Sequence, residues 1–409
     1  PYVRWTVKRN METFLHLVKR GDVRIDPLIT HIFDFEQAEE VYRKLYKHEL
    51  KGAIGVLFKY KAEYKKPEPI IIEIKSSKIP SKGTKKNKVV IGFIGAGQHA
   101  QSVLLPILKK IKEVEFKTVC TSRPITATQA AKRWGFQCAT TDPDKVIEDP
   151  DIDAVFIATR HDTHALFTAK ALEAGKYVFV EKPLAINEDQ LNMVIQAWKK
   201  NPGKLMVGFN RRYAPFIIEA KKLLQDRIEP VMILIRVNAG YTPLDHWIFD
   251  PIQGGGRIIG EECHFIDLSL YLTESRPITV FTMSSNSPKY HKTDNNSINI
   301  KFEDGSLTTI AYTAKGNRKY YRELIEIFYE QKVVCIQNFR AMQVITSTKK
   351  REINFLGSDR GHKNMLKTFI NSVLYESENL PNIKNYYITT LTTLAAQKSL
   401  DKGIPINLS

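Results

Sequence analysis

Three small residues after an apolar run carry the first chemical suggestion in this sequence: Gly95, Gly97 and Ala100 follow Val89-Val90-Ile91-Gly92-Phe93-Ile94 at G-x-G-x-x-A spacing. A β-branched run that empties into glycines reads as a buried strand turning into a helix. Gly95 permits the tight turn, Gly97 lets backbone come close to a pyrophosphate, and Ala100 lets the helix lie against its strand. The first amides of such a helix, at Ala96, Gly97, Gln98 and His99, lack intrahelical partners, and with the helix dipole they attract phosphate. The spacing alone does not separate a dinucleotide site from an ordinary glycine turn. Roughly 20 residues on, where NAD sites place a carboxylate on the ribose hydroxyls, the chain reads Cys120-Thr121-Ser122-Arg123. With no acid there and a guanidinium available for a 2′-phosphate, Ser122 and Arg123 favour NADP over NAD; the alternative is that Arg123 faces solvent.

The elements that must hold these residues alternate regularly. A helix from Gln98, a strand over 116–121, a helix from Thr126, a strand over 154–159, a helix from Asp162 and a strand over 177–180 predict an α/β fold, a doubly wound parallel sheet. Further on, β periodicity takes over at 231–237, 278–283, 297–302, 307–313, 324–329 and 333–337, with Asp304-Gly305 as a hairpin signal. Helices over 365–375 and 386–400 close the chain. Upstream, residues 1–66 show helices over 10–20 and 35–46 and a strand over 54–58. Residues 67–87, with Pro67, Pro69, Pro80 and Gly83, read as a linker broken by a short apolar run, Ile70-Ile71-Ile72.

Composition narrows the class. The 409 residues are 43% hydrophobic and 26% charged, and no apolar run reaches the roughly 18 residues of a membrane span. Cys120, Cys138, Cys263 and Cys335 are scattered, without a C-x-x-C pair or a Cys/His cluster at metal-ligand spacing. Reduced thiols, a cytoplasmic location and no metal are expected. No signal peptide is visible, although the chain opens on Pro1 without a Met, which leaves open what precedes it. The net charge of +17 comes mostly from lysines spread along the chain, not from one stripe with interleaved aromatics, so neither nucleic acid nor membrane is expected as a partner.

Two further stretches carry a resemblance: Ala154-Val155-Phe156-Ile157-Ala158-Thr159 followed by His164, and Gly175-Lys176-Tyr177-Val178-Phe179-Val180-Glu181-Lys182-Pro183-Leu184-Ala185. From about Val89 onward the chain resembles the Gfo/Idh/MocA family of sugar and inositol dehydrogenases. The resemblance implies a Rossmann-type domain over 88–208 and an α+β domain over 209–409 with an open, mainly antiparallel sheet that commonly makes a homo-oligomer. It places Thr159, His164 and Glu181 with the cofactor and gives Lys182 the reacting oxygen of a sugar or cyclitol. An ammonium at the end of a parallel strand suits that task, since it stabilises a developing alkoxide. Residues 1–66 resemble the tail of a medium-chain, zinc-type alcohol dehydrogenase, without its nucleotide fold or metal ligands. They read as an appendage or the remnant of a longer two-enzyme chain.

Asn210 and Arg211, in Gly208-Phe209-Asn210-Arg211-Arg212-Tyr213, match the family's crossover and are expected to face substrate, as are Trp247 and Asp267. For Arg212, pairing with a carboxylate across the seam is an equal alternative. The family pattern continues with glycines, an aspartate four residues before a histidine, and a second aspartate three residues after it. His264 and Asp267 match, but Gly260 stands where the first aspartate belongs. Residues three apart on a helix share a face, so Glu261 is expected to supply a carboxylate beside His264. His264, with an ordinary pKa near 6.5, is expected to act as general base. Gly260 also leaves a rival reading, a dinucleotide-binding sensor or scaffold without catalysis.

Overall fold

Helix Val7–Arg20 begins the part of the chain that the computed structural model describes, which comprises residues 7–60, 72–73, 87–202, 204–285, 287–376 and 380–408. The chain divides into two units, residues 1–68 and 69–409. In the first, strands β1 (Ile29–Asp34) and β2 (Gly55–Lys59) pair in parallel through helix Ala38–Tyr46. The hydroxyl of Thr30 ties them, donating to the Gly55 carbonyl at 3.2 Å and accepting from the Ile54 amide at 2.9 Å. Among the described residues of this unit, Val41 alone is buried, while Met11, Phe14 and Leu15 of the first helix lie exposed. Of the expected linker, only Ile72–Glu73 and Asn87 fall within the described residues.

The second unit holds two sheets. Its first comprises β3 (Ile72–Glu73), β4 (Val89–Ile94), β5 (Val114–Cys120), β6 (Cys138–Thr140), β7 (Ala154–Ile157), β8 (Tyr177–Val180) and β9 (Leu205–Val207), in the order β3-β6-β5-β4-β7-β8-β9. All neighbours are parallel except the short edge strand β3. Strands such as β7 and β9 are buried at every position because helices cover both faces, which explains their continuous apolar runs. Strand order reverses at β4, with β5 on one side and β7 on the other, and a ligand crevice opens beyond the strand ends at such a point.

The second sheet comprises β10 (Met232–Asn238), β11 (Pro277–Ser284), β12 (Asn295–Phe302), β13 (Leu307–Thr313), β14 (Glu323–Tyr329), β15 (Lys332–Gln337), β16 (Ala341–Ile345), β17 (Lys350–Asn354) and β18 (Ile406–Asn407), in the order β17-β16-β15-β14-β10-β13-β12-β11-β18. Only β10 and β13 run parallel. The fold is thus a Rossmann-type parallel sheet followed by an α+β part with a mainly antiparallel sheet. Ile233, Ile235, Ile298, Ile310 and Ile325 point to a core closed by helices Pro215–Leu223, Cys263–Thr273 and Ile383–Lys402. On the other face, Met232, Met283, Leu307 and Phe328 are exposed. Helix His362–Leu374 returns to the parallel sheet, where Phe369 packs edge-on against Phe156 at 5.3 Å.

Candidate active site

The glycine turn is built as its residue types require. Gly95 has φ +89°, and a Cβ there would lie 2.6 Å from the Ala158 carbonyl, so no other residue fits. A Cβ on Gly97 would meet nothing within 4 Å, which leaves the open approach that a pyrophosphate needs. Helix 98–108 follows, with a π turn at Ala100–Leu104 and Ala100 buried against the sheet. At the end of β5, Ser122 and Arg123 are exposed beside the start of helix Pro124–Trp134. These residues fit a dinucleotide.

Beside the turn, His99 Nε2 lies 3.3 Å from Glu181 Oε1. Burial alone would push the Glu181 carboxyl up, but His99, Lys182 and His362 outweigh it and hold it at about 2. The same pairing raises His99 above its ordinary value despite desolvation. Gly208 is part of this fit, because a Cβ there would lie 3.0 Å from the Glu181 carboxylate.

Lys182 and His264 come from different sheets' surroundings and meet at one helix. The Lys182 ammonium donates to the Gly260 carbonyl at 2.7 Å. Gly260 belongs to a π turn, Ile258–Glu262, in helix 256–273, one turn before His264. Such widened turns interrupt the regular backbone ladder and recur at functional sites. The His264 ring packs edge-on against Phe209 at 6.1 Å, and its Nδ1 is buried without a partner among the described residues. Burial first, then Arg211, Lys182, His362 and His99, hold its pKa well below the ordinary value, so the ring is neutral.

Several expected ligand residues point elsewhere. Glu261 does not assist His264: its carboxylate is taken by Arg257, by the Tyr312 hydroxyl at 2.6 Å and by Arg322 at 3.4 Å. Glu261 is thus occupied by cationic and hydroxyl partners of its own. Arg211 does not face substrate but grips Glu323, with Nε and Nη2 donating at 3.0 and 3.1 Å. Asn210 is buried and donates to the Arg360 carbonyl at 2.7 Å. Asp267 is fully buried, accepting from both ends of the Arg212 guanidinium and from Thr389 at 3.3 Å, which keeps it from any ligand. His164 is also buried, facing the Pro183 carbonyl through Nδ1 at 2.8 Å and the Thr159 carbonyl through Nε2 at 3.2 Å. A neutral ring donates only once, and burial favours the neutral His164, so the shorter bond to Pro183 is the one made, and it ties the ring to the Glu181-Lys182-Pro183 step.

Trp247 and Thr159 lie beside residues of this region, Thr159 next to the Gly95 turn and Trp247 against His161. Trp247 is half-buried, with His161 edge-on at 4.8 Å and the Arg160 guanidinium at 5.6 Å from its ring. Thr159 accepts from Thr163 at 2.7 Å through its hydroxyl. The residue that sequence reasoning left without a role is His161, which packs directly against Gly260; its one signal was its place three residues before His164 in the loop after β7. Among the described residues, no cluster of three or more His, Cys, Asp or Glu has the makings of a metal site, and no helix is long and apolar enough to cross a membrane.

Two family models match this chain in series: the oxidoreductase family with an NAD-binding Rossmann fold over residues 89–209, and the GFO/IDH/MocA C-terminal domain over 219–334. The chain belongs to the GFO/IDH/MocA oxidoreductase family. Members of this family act with a nicotinamide cofactor on CH–OH groups, and this chain is such a dehydrogenase or reductase. It is similar to an uncharacterized oxidoreductase, YrbE, of Bacillus subtilis (25% identity, 78% of this chain and 97% of the relative). It is also similar to myo-inositol 2-dehydrogenase of Thermotoga maritima (24%, 78% and 98%). Levoglucosan dehydrogenase of Pseudarthrobacter phenanthrenivorans is 34% identical over a shorter stretch, 38% of this chain and 42% of the relative. Among solved structures, a levoglucosan dehydrogenase complex with NADH and levoglucosan shares the fold at TM-score 0.68 and 23% identity, covering 78% of this chain and 99% of that one. An oxidoreductase domain protein from Kribbella flavida does so at 0.71 and 20%, covering 79% and 100%.

Proposed function

We propose that this GFO/IDH/MocA protein interconverts a secondary alcohol and a ketone on a sugar, cyclitol or sugar-nucleotide derivative. The observation that carries this reading is the Lys182 ammonium seated 2.7 Å from the Gly260 carbonyl, one turn from a neutral His264. When bound, the nicotinamide supplies the hydride exchange at the carbon that bears the hydroxyl. Lys182 binds that oxygen and stabilises its developing negative charge. His264 takes the hydroxyl proton in oxidation and returns it in reduction. Gly95, Ala96, Gly97, Gln98 and His99 cradle the pyrophosphate, with Glu181 orienting His99. Ser122 and Arg123, exposed at the end of β5, favour NADP over NAD. Trp247 offers its ring to the substrate.

The exposed apolar residues on the open face of the second sheet support a homo-oligomer. Residues 1–66 are read as an appendage that resembles the tail of a medium-chain alcohol dehydrogenase, separate from this chemistry. The test is a panel of sugars and cyclitols offered with NAD and with NADP, following the absorbance of reduced nicotinamide. Turnover of at least one polyol is expected, with NADP preferred. A protein that binds either cofactor yet reduces none with any polyol, in either direction, is a sensor or scaffold instead.

A further inference from the structure

Position 260 and His161 compete for one space. A Cβ built on Gly260 would lie 2.7 Å from Cε1 and 3.4 Å from Nδ1 of His161, so this ring fills the volume that any side chain at 260 would need. The ring is clamped: Nδ1 bonds the Gly254 carbonyl at 2.8 Å, and the rings of Trp247 and His164 stand 4.8 and 5.8 Å away. A carbonyl only accepts, so Nδ1 carries the proton and Nε2 is left as a bare acceptor. Nε2 makes no hydrogen bond among the described residues, and 5% of the residue stays accessible. The carbonyl of the same glycine holds Lys182. One backbone position is therefore flanked by the residue read as binding the reacting oxygen and by an unused acceptor.

Resting on the reading of the cleft as a polyol site, we propose that His161 Nε2 accepts a hydrogen bond from a substrate hydroxyl beside the reacting carbon, in place of a side chain at position 260. Burial first, then Lys182 and His164, hold the ring's pKa down to about 3, so it remains an acceptor across the working range. That selects the ligand chemistry. A hydroxyl can donate to Nε2, whereas a carboxylate or phosphate oxygen would face its lone pair with no proton between them. The geometry thus favours uncharged, hydroxyl-bearing substrates at this position over acids.

The test starts from a polyol that the wild-type protein turns over and adds its monodeoxy analogues. His161→Asn keeps a donor near the place of Nδ1, for the Gly254 carbonyl, and removes the acceptor at Nε2. The variant is expected to lose about tenfold in kcat/KM on the parent polyol. One monodeoxy analogue should lose about tenfold with the wild type and nothing further with His161→Asn. If His161→Asn does not fold, Gly260→Ala serves: its Cβ displaces the ring, and the same discrimination between parent and deoxy analogue should vanish. The proposal is overturned if either folded variant still discriminates as the wild type does. A wild type that turns over no polyol at all overturns the functional reading itself, and this inference with it, an outcome distinct from turnover with unchanged discrimination.

Discussion

The turn Asn210–Tyr213 and helix 256–273 border two groups of buried polar side chains that treat their charges in opposite ways. At the seam, Arg211 is matched on Glu323, which also receives Arg360 at 3.1 Å, and Arg212 is matched on Asp267, which also receives Thr389. In the cleft, among the described residues, His264 Nδ1 has no partner and Lys182 donates to the Gly260 carbonyl. His264 is buried as the seam pairs are, so for it burial is not the difference; pairing is. Buried polar groups are costly unless paired, so an unpaired one at this helix calls for an explanation. His264 and Asp267 lie three residues apart on one helix and match the same family pattern, yet one belongs to each group.

The comparison can be broken at the seam. Arg212→Met leaves Asp267 buried with only Thr389, and the expected cost is about 3–5 kcal/mol of stability, read as a large drop in Tm. Combining it with Asp267→Leu should recover most of that loss, because two apolar side chains replace a desolvated pair. If Arg212→Met leaves Tm unchanged, the seam is not the sealed structural network described above.

A smaller effect sharpens the comparison through pH. His161, His164, His264 and His362 all have pKa values lowered chiefly by burial, to about 3 for His161 and about 4 for His362. In the unfolded chain they take up protons near 6.5, so the folded state binds fewer protons below that value. Their contribution is complete above 6.5 and is lost as pH falls towards the folded values, by at most about 1.4 kcal/mol per histidine per pH unit. His99, raised by Glu181, runs the other way, its contribution present at low pH and lost as pH rises through its folded value. At the seam, burial raises the Glu323 carboxyl but Arg211 and Arg360 outweigh it, so its contribution is lost only below the ordinary value of 4.5. Tm measured against pH should therefore begin to fall near 6.5, and His161→Asn should flatten that first limb without touching the second. A profile flat down to 4.5 would contradict this assignment.

Much of the frame could be read from residue types. The apolar runs at β4, β7 and β8 predict buried parallel strands, and the glycines predict the turn, because burial on both faces and positive φ leave marks on local composition. The edge strand β17 left weak marks: Lys350-Arg351-Glu352-Ile353-Asn354 is mostly charged, as an exposed edge requires. Roles decided by distant partners left none. Arg211 meets Glu323 across 112 residues of sequence, so nothing near it reveals that it is already occupied; for Arg212 the sequence offered a seam carboxylate as an equal alternative, and Asp267, 55 residues away, is that partner. The π turn at 258–262 was equally silent, and within it Glu261 meets Arg257 and Gly260 lies against His161.

The central claim is that Lys182 and His264 serve one oxygen as a unit. Turnover of Lys182→Ala, His264→Leu and the double variant tests it directly, with cofactor binding followed in parallel. Each single change should cost about 10²–10⁴ in kcat while cofactor affinity holds, and the double variant should be no slower than the worse single one. Losses that multiply in the double variant, or a Lys182→Ala protein with wild-type turnover, would contradict the account.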